Sequence, residues 1–477
     1  MSYALYIGKN HSRTGHAWLA GYGDEPSSHW LEIVPAADHP DGTMIEVGVG
    51  PGANMPGRRI TVPQAPRTLR HMRVSYSYYL GVPAPITNGG VNEAGLAVRD
   101  VWSTSRAELR DMTPKDQTGF NYSDLARTVL ERATSAREAV ELCAHLIAEY
   151  GEATYGGNSH LFADAEEAWV MIQFAGGQGL WVAERLGPDS IRASRPGYVL
   201  EVPVHDPDHP DFLWSPNFVS FARDMGWYDS GPFDANAIYG DGKGRWDGIR
   251  WIEAEMQARA TRPEKIGLDD MIWAVRTEKL TGDTAGYGQV VPLERAADPA
   301  LAMMWHAACG ALAAPFSPVF LGQDTVPAEY GPHRYLTTGE SHRFQDMRKA
   351  VSGGLDTVSL VSQINETSVG AFQDCKRLMY LMQVLGDDTL APVHGAFVGR
   401  EARLAKLTEA QLRVAGSAIR AGHRAEAIAV LSAFSNSELG SALSLVRDLA
   451  TGLSVQAAAA APIAGTPGNP VGFPQIW

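Results

Sequence analysis

The chain has 477 residues, about three domains by length alone, and its 45% apolar and 20% charged composition excludes global disorder. Acidic side chains outnumber basic ones 54 to 40, a net charge of -14 that argues against nucleic acid or an anionic membrane as partner. No apolar run approaches the roughly 20 residues that span a bilayer, and the first residues lack the basic start and long apolar stretch of a signal peptide. The expectation is a cytoplasmic protein. Cys143, Cys309 and Cys375 are odd in number and far apart, which predicts buried reduced thiols rather than a disulfide framework or a metal motif.

Residues 3–7 are aromatic and aliphatic and stop at Gly8, the pattern of a buried strand. Residues 17–22 repeat it after Arg13-Thr14-Gly15, so a hairpin is expected. The stretch 24–73 is dense in Pro, Gly and His and reads as loops with short strands. Asn88-Gly89-Gly90 looks like a tight turn leading into a strand over 91–101. Helices follow at 123–132 and 135–150, the second with Ser135 and Glu138 spaced as a capping box and Gly151 as its stop.

Three strands of an antiparallel meander are expected at 159–163, 168–174 and 180–184, broken at Asp164-Ala165-Glu166 and Gly176-Gly177. Further helices are predicted at 249–259, 267–278, 340–350 and 355–385, with two or three more over 400–453. The Ala/Gly/Pro-rich stretch after Thr451, including Gln456-Ala457-Ala458-Ala459-Ala460, reads as a loosely held tail. Strands first, with helices inserted and following, give an α+β layered fold.

The common catalytic signatures are missing. There is no GxSxG elbow, HExxH pair or Walker loop, and Gly48-Val49-Gly50-Pro51-Gly52 reads as a surface loop. His205 to Asp211 contains metal-capable side chains, but its prolines and spacing favour a solvated turn. His11 and His16 lie across a turn, not on one helical face. Arg67, Arg70, His71 and Arg73 form a basic patch that reads as a salt-bridged surface, with carboxylate binding the alternative.

Ser2 remains. If Met1 is removed, Ser2 carries a hydroxyl and a free α-amine on one residue, and that amine titrates near ~7.7–8.0, close to ideal for a general base. Nucleophile and base are then one residue. A serine there is equally an ordinary second residue, and the sequence alone leaves both readings open.

Residues 2–9, Ser-Tyr-Ala-Leu-Tyr-Ile-Gly-Lys, together with Gly89-Gly90-Val91-Asn92-Glu93-Ala94-Gly95-Leu96, Ala136-Arg137-Glu138-Ala139-Val140, Gly157-Asn158-Ser159 and Glu167-Ala168-Trp169, occur in a recognisable order. In that order they resemble the bacterial dipeptidase family that includes the dipeptidases of lactic acid bacteria and the secernins. These are N-terminal-nucleophile hydrolases whose processed cysteine stands six residues before a Gly-Lys pair, as Ser2 stands before Gly8-Lys9. The resemblance extends over about residues 1–190 and more faintly to 385. It implies a four-layer αββα sandwich, with Ser2 as nucleophile, Asn92 in the oxyanion hole and Asp24 orienting the terminal amine. No metal or organic cofactor is required. For Asn92 the residues themselves also allow a turn asparagine, and for Asp24 a loop carboxylate; Trp169 and Trp181 read as core aromatics.

The chain departs from the family at four places. Serine replaces the cysteine, Gly21 stands where an arginine precedes the aspartate by three, Ile172 replaces a glutamate, and Ser194-Arg195-Pro196 replaces an asparagine. The expected organisation is a catalytic unit over 2–385, a helical segment over 386–453 and a tail over 454–477. The expected activity is hydrolysis of a peptide or related amide through a Ser2 acyl-enzyme, with a small-molecule amide or dipeptide as partner and a homo-oligomer compatible with the sequence. Two alternatives stay open: an amidase, esterase or acyltransferase acting on a non-peptide small molecule, and a binding protein that no longer catalyses.

Overall fold

The computed structural model of the chain describes residues 2–24, 29–49, 57–76, 86–154, 156–282, 284–331 and 370–460. Its first strands are β1 (Tyr3–Ile7), β2 (Ala17–Gly23) and β3 (His29–Val34). Two short ribbons follow, β4 (Ala37–Asp38) with β7 (Arg67–Thr68), and β5 (Met44–Val47) with β6 (Ile60–Pro63). Next come β8 (His71–Tyr76), β9 (Ile86–Asn92) and β10 (Ala97–Trp102), then helices α1 (Ala107–Met112), α2 (Tyr122–Arg132) and α3 (Ala136–Tyr150). The meander is β11 (Asn158–Ala163), β12 (Ala168–Gln173) and β13 (Trp181–Leu186), followed by β14 (Ile191–Ser194) and β15 (Phe212–Trp214). Four helices, α4 (Phe218–Asp224), α5 (Ala235–Tyr239), α6 (Asp247–Ala260) and α7 (Leu268–Arg276), precede β16 (Tyr287–Leu293), β17 (Met303–Ala307) and β18 (Ser317–Phe320). The described chain ends in α8 (Ala371–Leu385), α9 (Leu390–Arg420) and α10 (Arg424–Ala460).

Among the described residues the strands form two large antiparallel sheets. One has the order β14-β1-β2-β16-β17-β18, the other β15-β13-β12-β11-β10-β9-β8-β3. They face each other: Arg99 Nη2 on β10 donates to the Tyr22 carbonyl on β2 at 2.6 Å, and Gln289 on β16 reaches the Val98 carbonyl. Helices α2 and α3 cover the outer face of the eight-stranded sheet, where Leu125, Val129, Cys143 and Leu146 pack on Phe162, Trp169 and Met171. Helices α6 and α7 cover the six-stranded sheet over β14, β2 and β16. The fold is therefore a four-layer αββα sandwich. This layering explains why Tyr3-Ala4-Leu5-Tyr6-Ile7 is apolar without alternation, since a strand covered on both faces has no polar side. No helix among the described residues is long and apolar enough to cross a membrane.

Most predicted elements appear where the periodicity puts them, and the three cysteines are buried and free. Four expectations need correction. Asn88-Gly89-Gly90 is not a turn but part of β9, which hairpins back into β10 through Asn92-Glu93-Ala94-Gly95. The glycines are there because neighbouring backbone passes close by: a Cβ on Gly90 would lie 2.0 Å from the Met72 carbonyl oxygen. The capping box belongs to α2, where Asn121 and Asp124 bond reciprocally; at α3 Ser135 caps, but the Glu138 carboxylate accepts from the Thr134 N–H and hydroxyl instead. Gly48 and Val49 are buried rather than on a surface loop, with Gly48 N–H on Asp124 and its carbonyl on Asn121. Residues 456–460 lie in α10, with Ala457 buried, so the helix runs past the expected start of the tail. The helix expected at 340–350, the first part of that at 355–385, Gly50 to Gly52, and the tail from 461 onward lie outside the described residues.

Candidate active site

The register between strands brings Ser2 to a charged corner. Tyr3 pairs with Tyr22 across β1–β2, and Ala4 pairs with Ser194 across β1–β14. Ser2 precedes the first pair by one residue; Asp24 follows it by two, and Arg195 and Pro196 come directly after Ser194. Ser2 is 2% exposed and Asp24 6%, so both are withdrawn from bulk water.

Asp24 is held from two directions. Arg195 Nη2 donates to its Oδ2 at 3.4 Å, and the Thr284 hydroxyl donates to its Oδ1. Arg195 Nη1 also donates to the Tyr22 hydroxyl at 2.8 Å, and that hydroxyl donates to the Leu280 carbonyl at 2.6 Å. The guanidinium thus ties the end of β14 to the end of β2. Position 21 could not supply it: φ there is +154°, and a Cβ on Gly21 would lie 2.0 Å from the Tyr3 carbonyl oxygen.

Beyond Pro196 a narrow cleft is bounded by Ser103, Gly197, Tyr198, Asp241 and Arg245, with about 30 Å³ of free space, on the order of one water. Ser103 accepts the Gly197 N–H at 2.7 Å, which fixes the loop after β14 against the end of β10.

Asn92 does not join this corner. Its amide donates to the Leu130 and Ala133 carbonyls at 3.2 and 2.8 Å, and its Oδ1 accepts from the Ala94 and Leu96 N–H groups. Both amide hydrogens are engaged in capping the end of α2, so the oxyanion role implied by the resemblance is corrected to that of a turn asparagine. It also lies four residues along β9 from Asn88, the residue that shares Arg99 with Tyr22. That is about 13 Å of strand.

The other sequence candidates fall into plain structural roles. Arg67, Arg70 and Arg73 pair with Asp38, Asp324 and Glu32 at 2.8 Å each. His205, Asp206 and Asp208 are exposed, while Asp211 pairs with Arg185. His11 meets the Asp189 carbonyl, and His16 approaches Glu294 at 3.7 Å. Trp169 is fully buried in the layer under α3. Sequence reasoning missed Arg195 as a partner of Asp24, because 171 residues separate the two and only the pairing of β14 with β1 joins them.

Parts of the chain are similar to known proteins. The family model described as Peptidase family C69 matches residues 84–246, from the beginning of β9 to the residue before α6, a span that contains neither Ser2 nor Asp24. A probable dipeptidase of Salmonella dublin is 31% identical over 155 residues, 31% of this chain and 34% of that protein. Probable dipeptidase B of Lactococcus lactis subsp. lactis (strain IL1403) is 35% identical over 102 residues, 21% of each chain. The chain thus spans about a third or less of the length of these relatives. A solved structure of a mutant conjugated bile acid hydrolase from Clostridium perfringens aligns with 12% identity and a TM-score of 0.28, covering 64% of this chain and 88% of that one.

Proposed function

We propose that the protein is an N-terminal-nucleophile hydrolase that cleaves a peptide or related amide bond through Ser2. The observation that carries this reading is the burial of Ser2 at the head of β1, one residue before the Tyr3–Tyr22 pair, while two residues beyond that pair lies Asp24, a buried carboxylate held by a guanidinium and a hydroxyl. The similarity to probable dipeptidases supports the substrate class. On this reading Met1 is removed and Ser2 begins the working chain.

Its hydroxyl proton passes to its own α-amine as Oγ forms a bond to the substrate carbonyl carbon. The C–N bond then breaks, and the departing amine takes the proton from the ammonium. Water, giving its proton to the same amine, attacks the resulting ester and releases the acid with Ser2 restored. Asp24 holds the terminal ammonium, and Arg195 holds Asp24. Arg195 fills the need for a guanidinium that Gly21 leaves, which favours retained amide chemistry over a site that has changed to non-peptide acyl groups.

The partner in this proposal is a small amide or dipeptide, the setting is cytoplasmic, and the catalytic unit extends to about 385, with the helices beyond it as an addition. Ser2→Ala tests it. Turnover of a dipeptide or acyl-amide panel should fall by about 10³-fold or more while thermal melting is unchanged. Unaltered turnover rejects Ser2 as nucleophile.

A further inference from the structure

The loop that carries Arg195 is fastened on both sides by one buried ion pair. Arg192 on β14 meets Glu184 on β13 through two donors, each at 2.9 Å, and the two side chains are 9% and 5% exposed. β14 is an edge of the six-stranded sheet and β13 belongs to the eight-stranded one, so this fork joins the two sheets. Both partners also reach past Arg195. Arg192 Nη1 donates to the Tyr198 carbonyl at 2.8 Å, and Glu184 Oε2 accepts the Leu200 N–H at 2.8 Å.

The residues between are held as well. The Gly197 N–H is on the Ser103 hydroxyl, and the Val199 carbonyl accepts from the Asn236 amide on α5 at 2.7 Å. On the other side, Ser194 at the end of β14 is in register with Ala4 on β1. Arg195 therefore leaves a strand fixed to β1 and enters a turn bonded through its backbone at 197, 198, 199 and 200.

Two charges taken out of water contribute little net stability, and well-packed apolar residues in their place commonly hold a fold as well or better. Apolar residues lack the donor and acceptor that Tyr198 and Leu200 use. The contact that depends on this loop is that of Arg195 with Asp24, which at 3.4 Å is near the limit of a hydrogen bond and opens with a small shift. We propose that Glu184 and Arg192 are positioning residues that hold the Arg195 guanidinium against Asp24. This rests on the part given to Asp24 and Arg195 in the proposed function.

The test exchanges the pair, Arg192→Met with Glu184→Leu, and compares it with Arg195→Met and with all three changes together. The exchanged chain should melt at or above the temperature of the unmodified one. Its kcat, for whichever dipeptide or acyl amide the unmodified chain turns over fastest, should fall about tenfold or more. The pH profile of kcat/KM should change as it does in Arg195→Met. The triple variant should lose nothing beyond Arg195→Met, because effects that pass through one residue do not add. Glu184→Gln keeps the size and one acceptor, so it should fold even if the exchange does not, with a smaller loss and the same change of profile. A crystal structure of the exchanged chain should show the Arg195–Asp24 contact open. That contact intact, or a loss in the triple variant equal to the product of the separate losses, overturns the proposal. Unchanged kcat in Arg195→Met removes the role of Arg195 and this inference together. A loss there, with full turnover in the exchange and in Glu184→Gln, removes this inference alone.

Discussion

Two buried pairs of arginine and carboxylate sit in different parts of this molecule and differ in geometry. Arg276 on α7 meets Glu401 on α9 through two donors, at 2.7 and 2.5 Å. The same carboxylate accepts the Phe316 N–H, and Arg276 Nε reaches the Ala311 carbonyl. Arg195 meets Asp24 end-on at 3.4 Å, with the Tyr22 and Thr284 hydroxyls around them. Both pairs are comparably withdrawn from water, at 5% exposure for each side chain in the first and 7–8% in the second. Burial therefore does not distinguish them; geometry does. A two-pronged fork surrounded by backbone groups is an anchor that fastens α9 to the sandwich. In the proposed mechanism the end-on contact ringed by hydroxyls, at the corner where β1 begins, is what positions the Asp24 carboxylate.

Acid sets the range in which this contrast can be tested, and it has the largest expected effect. Burial holds His160 at about 4 and His306 at about 3, below the ordinary 6.5. The unfolded chain binds protons that the folded chain refuses, so the contribution of these neutral imidazoles is complete above pH 6.5. It is lost progressively as pH falls from there toward 4 and below. At full loss they correspond to roughly 3 kcal/mol for His160 and roughly 5 for His306, so denaturant midpoints should drop steeply between pH 6.5 and 4. A flat profile over that window contradicts the buried neutral state.

Breaking the anchor comes next. Glu401→Ala leaves a buried guanidinium and an unbonded Phe316 N–H, and should cost about 3–5 kcal/mol in urea denaturation. Turnover per folded molecule should not change, and a large loss of activity at intact stability would erase the distinction between the two pairs.

The reverse split is expected at the other pair. Arg195→Met should lower kcat by about 10- to 100-fold and alter the pH profile of kcat/KM, with partial rescue by Arg195→Lys. Loss of stability with an unchanged kcat and pH profile would make Arg195 an anchor as well. The smallest effect is expected at Asn92. Asn92→Ala should cost about 1–3 kcal/mol of stability through the carbonyls and N–H groups it now serves, with kcat of the folded fraction unchanged. A large loss in kcat there would restore Asn92 as an oxyanion donor.

How much of this is legible in sequence depends on how local each feature is. β1, β2, the meander and α2–α3 are visible because each carries its period and its stop signals within a dozen residues. The β9–β10 hairpin is harder, because Gly89 and Gly90 look like turn residues; only the strands on either side reveal that their lack of a side chain answers close backbone. Residues 456–460 look like a loose tail, although alanines are strong helix formers and Ala457 packs into the core. At the candidate site, Ser2 draws attention as the second residue and Asp24 only through the resemblance; the pairing of β1 with β2 then sets them on either side of the Tyr3–Tyr22 pair. Arg195 is not legible, because its meeting with Asp24 arises only when β14 lines up along β1.

The most direct test of the central claim is intact and peptide mass spectrometry of the protein after exposure to a reactive acyl substrate. The account predicts a chain that lacks Met1 and carries one acyl group on Ser2, and Ser2→Ala should carry none. An active chain that retains Met1, or an acyl group on any other residue with Ser2 unmodified, would contradict it.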